Sequence, residues 1–220
     1  MDRGRPGTYG GLPLSAVKRS AAAGSKGEVT KMGDIFRLAE ESDTGQLLTL
    51  IEGAYRAIRD LNIDFRATRA DYEFVRTNME ENACYVLERD GRISATLSLK
   101  YMEEVSVYPF LFMFAVHPAE QSQGVGSRLL RYVEEEIVRD TLLSPASTLA
   151  TSRKHPWLLP FYERKGYQPF YERDLGTDDR LVFMIKNLRS GSGTDREDPV
   201  HSSGETGAER YSFPGDLKKI

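Results

Sequence analysis

The stretch Val116-His117-Pro118-Ala119-Glu120-Gln121-Ser122-Gln123-Gly124-Val125-Gly126-Ser127-Arg128-Leu129-Leu130 joins a strand to a helix through a turn suited to phosphate. Upstream, residues 109–116 are almost wholly apolar, as a central strand covered on both faces requires. Downstream, Leu129, Leu130, Val133 and Ile137 recur at helical spacing. The first amides of such a helix lack an internal partner and face outward at the positive end of its dipole, so a pyrophosphate can settle there. Gly124 and Gly126 remove side chains that would hold it off. The stretch therefore predicts a nucleotide-linked cofactor.

Working outward, residues 35–38 read as a strand, and a helix follows that opens at Asp43 with Gln46 three residues on, as in a capping box. Leu47, Leu48, Ile51, Tyr55 and Ile58 form its buried stripe. A second helix is predicted after Thr68, carrying Tyr72, Val75 and Met79. Residues 84–88 and 92–101 flank the turn Asp90-Gly91 as a hairpin. Beyond the helix at 127–139, a strand at 147–151 and a short helix at 157–165 ending at Gly166 lead to a second hairpin, 167–171 with 181–185. Residues 1–33 are rich in Gly, Ala, Ser, Arg and Lys without apolar periodicity and read as a flexible basic leader, an organelle transit peptide being the alternative. Residues 189–220 read as a flexible C-terminal tail.

At 220 residues and 40% hydrophobic, the chain can bury one core. A formal charge of −3 gives no general attraction to nucleic acid or anionic membrane, so neither is expected as a partner. Cys84, the single cysteine, sits in a strand-like run as a core residue or, alternatively, a reactive thiol. No secretory signal or membrane span is legible, and a cytoplasmic setting is expected. Three His and one Cys without ligand spacing predict no metal.

Several cofactors use a phosphate-binding turn. No Gly-Lys-Ser or Gly-Lys-Thr occurs, which removes the P-loop, and Leu129 stands where the dinucleotide fingerprint needs its third Gly. What remains resembles the GNAT superfamily of acyl-CoA-dependent N-acyltransferases. Its signature is met at Val116, Pro118, Gln121, Gly124, Gly126 and Leu129, and Phe161-Tyr162-Glu163-Arg164-Lys165-Gly166-Tyr167 resembles its second motif. The resemblance covers residues 34–188. It implies an α+β (mixed α/β) fold, with a mostly antiparallel twisted sheet of about seven strands flanked by about four helices.

Carried over by position, the resemblance implies that Gln121, Ser122, Gln123, Gly124, Val125, Gly126, Ser127 and Arg128 cradle the pyrophosphate of acetyl-CoA. Phe114 and Val116 would offer main-chain groups to the pantetheine arm, with an amide near Val116 polarising the thioester. Tyr162 would protonate the departing thiolate, or else fill core beside Phe161; Pro160 sits awkwardly for a helix there. His155 stands where the family often has Asn and is either a cofactor contact or a plain loop residue. Phe110 replaces the Glu that some members use as a base, leaving Glu103 and Glu104 as the nearest candidates, or as a solvated loop. Tyr101, Tyr108 and Trp157 are candidates for the acceptor pocket, and His117, at the strand end, is either a further base candidate or a structural residue. The implied activity is transfer of acetyl to a primary amine of a small molecule or peptide, by direct attack in a ternary complex. The implied assembly is a monomer or homodimer, and the alternative function is a catalytically silent acyl-CoA sensor.

Overall fold

The computed structural model describes residues 28–29, 33–61, 63 and 65–189. The hairpin of β3 (Ala83–Arg89) and β4 (Arg92–Met102) turns at Asp90 and Gly91, both left-handed with φ of 50° and 73°. Such a turn matches the natural twist of the strands it joins. β5 (Ser106–Val116) returns antiparallel to β4. On the other side, β2 (Asp34–Leu38) pairs antiparallel with β3, and the two-residue β1 (Glu28–Val29) pairs with β2. β6 (Ala146–Ser152) runs parallel to β5, and β7 (Gln168–Asp174) and β8 (Arg180–Asn187) complete the order β1-β2-β3-β4-β5-β6-β8-β7. The β5–β6 pair is the sheet's one parallel junction among the described residues. This is the expected mixed, mostly antiparallel sheet, with β1 added from within the stretch read as a leader. Residues 1–27 and 30–32 of that leader, and residues 190–220 of the expected tail, lie outside the described residues.

Alternation along the strands sorts two cores. On one face α1 (Thr44–Asp60) and α2 (Tyr72–Glu81) bury Leu47, Leu50, Ile51 and Val75 against Cys84, Val86 and Ala115. On the other, α3 (Val125–Tyr132) and α4 (Leu158–Arg164) pack Val125, Leu129 and Tyr162 against Tyr85, Leu97, Leu99 and Leu111. From Val133 to Thr141 the helix after the turn widens into a π-helix, closed by Leu142 donating to the Ile137 carbonyl at 2.8 Å.

Two local expectations are corrected. The carboxylate of Asp43 does not cap α1, because Arg37 holds it at 2.6 Å and the Glu40 amide at 2.8 Å. Gln46 accepts from the Ile93 amide at 3.2 Å instead of closing a box. Pro160 causes no kink, since it occupies the first turn of α4, where a helix needs no amide donor.

Candidate active site

The site begins with an irregularity in β5. Opposite β4, Ser98 pairs with Phe112 but Thr96 pairs with Ala115, so β5 carries one extra residue. Met113 absorbs it with φ of 48°, a left-handed conformation that costs a non-glycine residue roughly 1–2 kcal/mol. The bulge turns Met113 and Ala115 toward α1 and α2, and Phe114 and Val116 toward α3. Pairing with β6 is confined to Phe110↔Thr148 and Leu111↔Leu149. Past Leu111 the two strands part, and a cleft of about 1550 Å³ runs through the gap.

One end of the cleft is the phosphate turn. Gly124 caps α3 with φ of 78°, which side-chain-bearing residues rarely adopt. The first amide to bond within the helix is that of Arg128, to the Gly124 carbonyl at 3.0 Å, so the amides of Val125, Gly126 and Ser127 have no intrahelical acceptor. A β-carbon on Gly126 would sit 2.8 Å from Val116 Cγ2 and 3.0 Å from Phe114 Cζ. That glycine is needed first to let the helix lie against β5, whereas a β-carbon on Gly124 would meet only Arg128, at 3.5 Å. Free amides on an open, glycine-capped helix mouth fit a diphosphate.

Around this mouth the expected cofactor residues take distinct places. Gln121 donates through Nε2 to the Val116 carbonyl at 3.2 Å, and Gln123 to the Ala119 carbonyl at 2.8 Å, so both tie the turn together. Ser122 is left-handed, with φ of 62°. Val125 buries its side chain completely and can offer a ligand only its amide. Arg128 turns away to Asp34, a buried carboxylate at 2.7 Å, which Arg89 also holds at 2.9 Å. Arg89 then reaches Glu120 at 3.0 Å, and Ser94 donates to the same carboxylate at 2.9 Å. This chain of ion pairs staples the turn to β2, β3 and β4 from behind. His117 accepts from the Ala119 amide at 3.3 Å and caps the short turn Pro118–Glu120.

At mid-cleft, Tyr162 is buried and its hydroxyl bonds no described residue. Burial first, then Tyr55 and Glu134 nearby, push its pKa above the ordinary 10.0, so it is a protonated phenol at neutral pH. Its ring meets Tyr167 edge-on, and the Tyr167 hydroxyl donates to buried Glu134 at 2.7 Å, which Lys186 neutralises at 2.5 Å. Across the cleft, Tyr55 of α1 donates to the Phe114 carbonyl at 3.4 Å, and burial raises its pKa too. His155 lines the cleft, accepts through Nδ1 from the Leu158 amide at 3.3 Å and stands edge-on to Trp157. Burial lowers its pKa below 6.5. The ring is therefore neutral, with its proton on Nε2, a donor.

At the other end, α2, the α1–α2 connection and β4 meet, with Phe65, Phe74, Phe110 and Phe112 lining the walls. Glu103 and Glu104 do not reach it, because the tight turn that joins β4 to β5, closed by the Val105 amide on the Met102 carbonyl at 2.8 Å, exposes both to solvent. Tyr101 and Tyr108 also stay outside, while Trp157 is on the wall. Cleft residues that sequence reasoning missed are Tyr55, read only as buried stripe, and Arg66, Asn78 and Lys100. No spacing marks them, since they come from four separate elements.

A parallel strand pair that parts at a bulge, between a helix mouth of free amides and a buried tyrosine, defines an acyl-CoA-dependent transferase cleft. The family model for an acetyltransferase (GNAT) domain matches residues 80–169. The chain is 46% identical over 150 residues to an S-alkylcysteine N-acetyltransferase of Bacillus subtilis (strain 168), covering 66% of this chain and 84% of that protein. It is 48% identical over 158 residues to an S-(2-succino)cysteine N-acetyltransferase of the same organism, covering 70% of this chain and 96% of that one. In fold it is similar to the PaiA N-acetyltransferase of Thermoplasma acidophilum solved with coenzyme A, with a TM-score of 0.57 at 14% identity over 71% of this chain and 99% of that one. The chain belongs to the GNAT acetyltransferase family and is an acetyl-CoA-dependent N-acetyltransferase. No helix among the described residues is long and apolar enough to cross a membrane.

Proposed function

We propose that this enzyme acetylates the α-amine of cysteine derivatives substituted at sulfur, with residues 34–188 as the catalytic unit. The observation that carries this is the pair of relatives named for such acceptors, each matched over most of its length at nearly half identity. The aromatic far wall of the cleft suits a thioether substituent, and the buried Cys84 thiol suits a cytoplasmic setting.

Acetyl-CoA supplies an activated acyl thioester. The amides of Val125, Gly126 and Ser127, with Ser122 beside them, hold its diphosphate, while Gln121, Gln123 and Arg128 keep the turn in shape. The main chain of Phe114 and Val116, released from β6, is the edge along which the pantetheine arm lies. Tyr162 donates its phenolic proton to the leaving thiolate, a role worth roughly 10²–10⁴ in rate. His155, fixed as an Nε2 donor, holds an amide carbonyl of the arm. The ammonium of an amino acid that keeps its carboxylate holds its proton more tightly than a peptide terminus, whose pKa is about 8, so most of the acceptor arrives protonated at pH 7 and must lose a proton at the site. Glu81, a carboxylate on the acceptor wall at the end of α2, takes the role first sought at Glu103 and Glu104.

A thiol-release assay with S-butylcysteine, lysine and a peptide amine tests the reading. Turnover with the cysteine thioether at least tenfold above the other two is the expected result. Preference for lysine or peptide removes this acceptor class. Binding of coenzyme A with no thiol release for any amine favours the sensor.

A further inference from the structure

Several cations in this fold are matched to carboxylates. Arg37, Arg89, Arg128, Lys154 and Lys186 each hold one, and so do Arg76, Arg139 and Arg153 on the surface. Two on the acceptor wall of the cleft do not. Lys100, half-buried in β4, has no carboxylate partner among the described residues, and its ammonium leans over the Phe112 ring at 4.9 Å. Arg66, at the start of the short turn Arg66–Arg69 ahead of α2, lies over the Phe74 ring at 5.5 Å and likewise lacks one. The half-buried Lys100 ammonium is costly to keep without a counter-ion unless a ligand brings the charge, whereas Arg66 is exposed, keeps its water and is simply open to an anion.

Their positions differ in a useful way. Lys100 pairs in register with Phe110, the residue at which β5 still holds β6, and its ammonium reaches toward Phe112, where the strands have begun to part. It is therefore beside the place where acceptor and acetyl group meet. Arg66 comes instead from the α1–α2 connection, beside Phe65, and not from a strand of the sheet. Arg56 also lines the cleft, but it is one helical turn from Gly53, which abuts Pro118 next to the phosphate turn, so it belongs to the cofactor end. The carboxylates on the cleft wall, Asp60 and Glu81, suit the ammonium of an acceptor; Glu120 is taken up by Arg89 and Ser94.

We infer that Lys100 and Arg66 sort acceptors by where they carry carboxylates, Lys100 binding the α-carboxylate two bonds from the reacting amine and Arg66 binding a carboxylate on the sulfur substituent. The aromatic rings beneath them take the apolar part of that substituent. The inference rests on the cysteine-thioether reading above. It makes one wall serve both a plain alkyl thioether, which uses Lys100 alone, and an acidic thioether such as a succinyl adduct, which uses both cations.

The test is a steady-state comparison of full-length wild type, Lys100→Met, Lys100→Arg and Arg66→Gln on S-butylcysteine, S-(2-succino)cysteine and S-butylcysteamine, the last lacking the α-carboxylate. Lys100→Met should lower kcat/KM about 10- to 100-fold for both cysteine thioethers, mostly through KM, and leave S-butylcysteamine unchanged. Lys100→Arg should keep most of the activity. Arg66→Gln should cost about tenfold or more on the succinyl substrate and less than about twofold on the butyl one. An unchanged KM for acetyl-CoA in every variant reports an intact fold. If Lys100→Met affects all three amines alike, or none, or if Arg66→Gln does not separate the two thioethers, the sorting role is overturned while the acceptor class stands. If wild type turns over neither cysteine thioether but acetylates another amine, the acceptor class itself fails and this inference with it.

Discussion

The two ends of the cleft are built by different means. At the cofactor end the binding groups are main-chain amides of one continuous turn, with side chains such as Gln121, Gln123 and Arg128 spent on holding that turn in place. At the acceptor end the walls are side chains, brought together from α1, α2, β4 and β5. Main-chain recognition tolerates side-chain change wherever the backbone path survives, so this end constrains a few glycines and apolar contacts. Side-chain recognition is reset by single substitutions. One cofactor and many acceptors follow naturally from that division.

The sharpest way to test the division is at its boundary. Tyr162→Phe removes only a hydroxyl that bonds no described residue, so the fold should stand while kcat falls by roughly 10²–10⁴ and the KM for acetyl-CoA stays within about twofold. A fall of less than tenfold in stopped-time assays would make Tyr162 a core aromatic. Asp34→Ala breaks the staple behind the phosphate turn. Two arginines, each about a quarter exposed, would lose their shared buried partner, so we expect about 3 kcal/mol of destabilisation in urea melts, together with a higher acetyl-CoA KM. A rise in acceptor KM instead would blur the distinction between the two ends.

Gly126→Ala is next, because its methyl would press on Val116 and Phe114 of β5. We expect a loss of about 1–3 kcal/mol and weaker coenzyme A binding by calorimetry, with the acceptor preference unaltered. His155 gives a smaller, pH-dependent effect. Its folded pKa lies below the ordinary 6.5, so the unfolded chain takes up the proton first, and the stability it contributes is complete above that value and declines as pH falls toward the folded pKa. The thermal midpoint of wild type should therefore drop more steeply below pH 6.5 than that of His155→Asn. Smallest of all, Glu103→Gln combined with Glu104→Gln should change kcat/KM less than about twofold, as befits exposed turn residues. A tenfold loss would return the base to that turn.

How far each part could be read in advance follows the same division. Residues 116–130 carry their message locally, in an apolar strand, a glycine-bearing turn and a helical stripe, and so do the Asp90-Gly91 hairpin and the buried stripe of α1. The bulge could not be read, because Met113 bears no mark of a left-handed backbone and β5 acquires its extra residue only by pairing with β4. Arg128 looked like a phosphate ligand until Asp34, 94 positions earlier in the chain, claimed it. Asp43 looked like a cap until Arg37 did the same.

The order of elements, the free-amide turn and the tyrosine of the second motif were thus decided by the chain's own pattern, since periodicity and turn chemistry act between residues close in sequence. Where β5 leaves β6, which cations remain unpaired, and which carboxylates see the cleft were decided only in three dimensions. Those properties depend on distances between residues far apart in the chain, and burial and charge pairing are settled only when the elements pack.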